Sequence, residues 1–86
     1  MTAAPDRAAI AALILEQTAA RAPGRSVCPS EVARALARDW RPLMPEVRAV
    51  AAELADQGLV VATQRGRPVD PRTARGPVRL HRPRDT

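Results

Sequence analysis

The spacing of apolar residues changes at Gly58, and that change narrows the folds open to an 86-residue chain. Ahead of it, Leu43, Val47, Val50, Ala51 and Leu54 recur three and four apart, the period of a helix with one buried face. Behind it, LVVAT (59–63) is a β-branched run of strand character, and PVRLH (77–81) is a second. Gly58 is the residue type that ends a helix in a left-handed cap. The chain therefore passes from helix to sheet at one point. Its last third must pack against what precedes it, because a domain this small has room for only one core.

Two more helices are legible upstream. From Asp6 to Arg21 the composition is helical, with Ile10, Leu13, Ile14 and Gln17 on one stripe and Asp6 as N-cap. Leu15 lies off that stripe, which predicts a helix covered on more than one side. The segment APG (22–24) marks its end. In CPSEVARAL (28–36), Pro29 suits the first helical position and Glu31 places negative charge at the positive end of the helix dipole, with Val32 and Leu36 facing inward. Ser26 and Val27 form a short extended piece that can add a strand. Between the hairpin runs, Gly66 permits a tighter turn in which Pro68 and Val69 pair back. The order is helix, strand, helix, helix, strand, strand, which predicts an α+β winged helix: a three-helix bundle with a helix-turn-helix and a C-terminal β-hairpin wing. Residues 1–82 are expected to form this single domain, with 83–86 a frayed C-terminal tail.

The combination of CPSEVARAL, Trp40, RPLMPEVRAVAAELADQG (41–58) and GRPVDPRTARGPVRL (66–80) resembles a family of short bacterial proteins catalogued as domain of unknown function 3253. The resemblance runs from about residue 8 to 82. It implies a winged-helix fold and carries no assigned activity or site residues.

Charge is distributed unevenly. All 14 cationic side chains are arginine. Residues 1–58 hold seven Arg and seven acids, whereas residues 59–86 hold seven Arg against Asp70 and Asp85, so the net charge of +5 lies wholly in the last third. A disordered basic tail would be poor in apolar residues. Val60, Val61, Val69, Val78 and Leu80 occur too regularly for that, so the arginines are expected on a shaped hairpin with a mobile tip around DPRTAR.

Catalytic chemistry finds little to work with. Cys28 is the only thiol and His81 the only imidazole, without an orienting third group for a dyad. Two soft ligands do not make a zinc site, and no glycine-rich loop has phosphate-cradling spacing. No enzyme activity, metal or cofactor is expected. The lone cysteine fits a reducing cytoplasm, and the N-terminal apolar run, broken by Glu16 and Gln17, reads as neither a signal peptide nor a membrane span.

What remains is a basic surface, and the expected partner is nucleic acid, DNA rather than RNA and double-stranded. Arg65, Arg67, Arg72 and Arg75 would contact phosphate from the wing and Arg41 from the end of the second helix, a region near the duplex backbone where Arg34 and Arg38 also fall. Four neutralised phosphates correspond to a salt slope of about −3.6. With Val47 at the centre of the buried stripe, the third helix presents Pro45, Ala49, Ala52 and Asp56 outward. There only Arg48 can make a bidentate base contact, which predicts weak sequence readout. The alternative is a protein-interaction or homodimerisation module that uses this alanine-lined face. Trp40, the sole aromatic side chain, is expected to anchor the core, and Met44 to fill a gap in it.

Overall fold

The computed structural model describes residues 6–21 and 25–83. The APG helix stop and, apart from Pro83, the C-terminal tail lie outside these residues. Helix α1 (Arg7–Ala20) starts where its cap dictates, with the Asp6 carboxylate accepting the Ala9 N–H at 2.8 Å. Ile10 and Ile14 are fully buried. Thr18 continues the stripe as a buried polar residue, its hydroxyl satisfied by donation to the Ile14 carbonyl at 2.8 Å. Leu13 and Leu15 both pack against the core, so α1 is covered on two sides, as the off-stripe leucine predicts.

Helix α2 (Pro29–Leu36) has Pro29 at its first position, and the Glu31 carboxylate reaches back to accept the Cys28 N–H at 3.0 Å. Val32 and Ala33 are its fully buried residues, and Leu36 packs partly buried at the core's edge. A single 3-10 turn, Arg41–Leu43, leads into α3 (Met44–Asp56). Gly58 ends that helix with φ +78°, while the Leu59 N–H bonds back to the Leu54 carbonyl at 2.9 Å. Only glycine adopts that dihedral without steric cost.

The sheet has three antiparallel strands in the order β2 (Arg67–Pro68), β1 (Val61–Gln64), β3 (Arg79–His81). Strand β1 is central, with Ala62 opposite Leu80 and Gln64 opposite Arg67. Both partner runs foreseen for β1 are thus present, one on each side. Arg65 and Gly66 connect β1 to β2 with φ of 53° and 80°, the double left-handed pair of a type I′ hairpin turn. The strand expected before α2 is reduced to one residue: Val27 exchanges backbone hydrogen bonds with Leu80 at 2.7 and 2.8 Å.

Val60, Ala62, Val78 and Leu80 join Ile10, Ile14, Val27, Val32, Val47 and Val50 in one buried cluster. At about 1.5–3 kcal/mol for each fully buried aliphatic side chain, the hairpin is a structural part of the core rather than an appendage. Three helices and a small antiparallel sheet make an α+β layout consistent with a winged helix. Trp40 is half-buried, packed against the edge of the core rather than within it.

Candidate nucleic-acid interface

The outward face of α3 is partly covered. The chain between β2 and β3 folds back along it, with Pro71 buried and Ala52 only 1% exposed. Alanine makes this possible, because its small side chain lets a loop approach the helix closely. Arg48 fixes the loop. Its guanidinium donates to the carbonyls of Ala74 at 2.8 Å and Gly76 at 2.7 Å, with a longer contact to Pro71 at 3.4 Å. Two turns further along, Asp56 meets Arg72 at 3.4 Å. On the opposite flank, Arg7 of α1 pairs with both Glu46 and Glu53, and these carboxylates raise its already high pKa. Every charged side chain of α3 is therefore engaged by its own chain.

This packing bears on two expectations. Arg48 is not free to read a base edge; its donors are committed to main-chain oxygens. On the alanine-lined face the chain's own loop covers Ala52, while Pro45 and Asp56 stay exposed. The loop's return path, which no local pattern specifies, is the physical reason for both.

The same loop is held from the sheet side. The Gln64 side-chain amide donates to the carbonyls of Arg75 and, at 3.1 Å, Pro77. Within the loop, Asp70 accepts the Arg72 backbone N–H at 2.9 Å and its Nε at 3.0 Å. The side-chain bond first, then the backbone one, holds the Asp70 carboxyl below the ordinary carboxylate range. The segment expected as a mobile tip is thus tied to α3, to β1 and to itself.

This arrangement leaves a concentration of unpaired charge at the hairpin. Arg65 at the turn, Arg67 on β2, Arg75 in the loop and Arg79 on β3 line a single open concavity at the hairpin end of the sheet, together with Gln64 and Val69. All four arginines are exposed. Among the described residues none has an ion-pair partner, and no carboxylate lines the concavity. Its lining offers four guanidinium forks suited to phosphate oxygens.

Of the six arginines singled out in the sequence, the structure brings Arg65, Arg67 and Arg75 together. Arg72 is paired to Asp70 and Asp56, and Arg48 serves the loop. Arg41 is not among the concavity's residues; it stacks on Trp40, as does Arg34, each with its guanidinium carbon 4.6 Å from the ring centroid. Such contacts contribute about 0.5–1 kcal/mol at exposed sites. Arg79 belongs to the site and is absent from the sequence-derived set. Its signal is the alternation Val78 in, Arg79 out, Leu80 in. His81 approaches the Thr63 hydroxyl at 3.3 Å through Nε2. Among the described residues, no group of three or more His, Cys, Asp or Glu is placed to hold a metal ion, and no helix is long and apolar enough to cross a membrane.

A family model described as "Protein of unknown function (DUF3253)" matches residues 7–83. No curated protein matches the chain.

Proposed function

The chain belongs to the DUF3253 family, whose description assigns no activity, and from the geometry of its basic concavity we propose that it is a nucleic-acid-binding module that grips the phosphates of double-stranded DNA. The observation that carries this reading is the cluster of Arg65, Arg67, Arg75 and Arg79, four exposed arginines with no carboxylate among the described residues that line the concavity. Unpaired like charges repel each other, and a polyanion relieves that repulsion while releasing its counterions. Sequence readout through α3 has no free side chain to perform it, so binding is expected to be nearly indifferent to base sequence. The hairpin supplies affinity through phosphate contacts.

Fluorescence anisotropy of a labelled duplex, measured from low to moderate salt, tests the proposal. The four arginines should contribute about −3.6 to the slope of log affinity against log salt, at about 0.9 per phosphate. Replacing Arg65 and Arg67 with Gln should make the slope shallower by about 1.8 and weaken unrelated sequences equally. Absence of binding at low salt, or a slope that the double replacement leaves untouched, rejects it.

A further inference from the structure

Trp40 stands where α2 gives way to the 3-10 turn, half-buried against the core, with Arg34 from the last turn of α2 and Arg41 from the start of the turn both stacked on its ring. Both guanidinium carbons lie 4.6 Å from the same centroid, so they are no farther apart than twice that distance. Both residues are exposed. Among the described residues neither pairs with a carboxylate, and the neighbouring Asp39 forms no ion pair with either. Arg7, Arg21 and Arg72 by contrast all face acids.

Stacking fixes a guanidinium by its flat face and leaves its in-plane N–H donors free. Side-chain freedom that an arginine ordinarily loses on meeting an anion has here been partly lost in advance, the condition under which a contact gains affinity. Two such forks on one ring also hold like charges within twice 4.6 Å of each other, with no acid paired to either among the described residues. A phosphate group supplies both the missing charge and the acceptors that match the forks.

We propose that Arg34, Trp40 and Arg41 form a second phosphate seat, distinct from the hairpin concavity, which takes a backbone phosphate of the bound nucleic acid. For the source of that phosphate the seat rests on the function proposed above. Its chemistry does not depend on that source, and free phosphate would present the same oxygens.

The seat carries its own reporter, because Trp40 is the only aromatic residue of the chain. Intrinsic fluorescence is followed while wild-type protein is titrated with an unlabelled duplex, with pyrophosphate as the free-phosphate probe, and with chloride at matched ionic strength. A saturable emission change with the duplex, retained in Arg65→Gln/Arg67→Gln and lost in Arg34→Gln/Arg41→Gln, is the expected result. The Arg34→Gln/Arg41→Gln protein should also show a salt slope shallower by about 1.8 in anisotropy, while its circular-dichroism melt stays a single cooperative transition. If the duplex binds by anisotropy while Trp40 emission stays flat and this slope does not move, the seat is overturned and the hairpin reading survives. If the duplex does not bind at all, the hairpin reading fails and pyrophosphate decides. A saturable change abolished by Arg34→Gln/Arg41→Gln retains the seat as a free-phosphate site, and a response no greater than chloride's overturns it.

Discussion

Arg48 commits its guanidinium to the carbonyls of Ala74 and Gly76, with Pro71 at the limit of contact, and so does for a loop what a cap does for a helix. It satisfies main-chain oxygens that would otherwise be shielded from water on the α3 side. Bonds from a charged donor contribute about 1.5–3 kcal/mol, and the half-exposed setting of Arg48 places it at the lower end. Arg48→Met, which keeps the aliphatic stem, should therefore destabilise by about 1.5 kcal/mol and lower the melting temperature by about 6–12 °C. Amide exchange should accelerate most from Arg72 to Gly76; uniform protection in that stretch would show that the loop holds without it. From sequence alone Arg48 looked like a reader, because an arginine beside the outward face of a third helix has two uses, and only the position of a segment more than twenty residues away separates them.

The hairpin shows the same division one level up. Its strands and its turn at Gly66 were legible, because β-branched runs flanking glycine have few other readings. Arg65 in the left-handed region was less so: type I′ turns favour Asn-Gly, and a long side chain at φ 53° carries strain. Strain of this kind persists where a side chain is needed for something other than stability. Arg65→Asn should raise stability by about 1 kcal/mol in chemical denaturation, since asparagine tolerates this dihedral. It should also weaken duplex binding and make the salt slope shallower by about 0.9. A variant that gains stability and keeps full affinity would remove Arg65 from the interface. Arg79 was recoverable from the in-out alternation of β3. The closeness of Arg67, Arg75 and Arg79 was not, since the last two approach the first only after the loop has turned back along α3.

At the scale of the molecule, the helices and the sheet share one core. Leu80 is fully buried, pairs with Ala62 across the sheet, and holds Val27 through two backbone bonds, so it links the segment before α2 to the hairpin. Leu80→Ala should cost about 2–5 kcal/mol, a large share of the roughly 4–13 kcal/mol that a domain of this size possesses. Unfolding should remain a single transition in which Trp40 emission and far-ultraviolet circular dichroism coincide. Separate transitions for helices and sheet would contradict a common core. Helix limits, caps, the Gly58 stop and the existence of the hairpin were set by the sequence itself, because each depends on residues within a few positions: Asp6 on Ala9, Glu31 on Cys28, Gly58 on its own dihedral. Which arginines face solvent unpaired was decided only by tertiary structure. Their partners are carbonyls and carboxylates many residues distant, and a guanidinium becomes available to a phosphate only when the folded chain has left it without one.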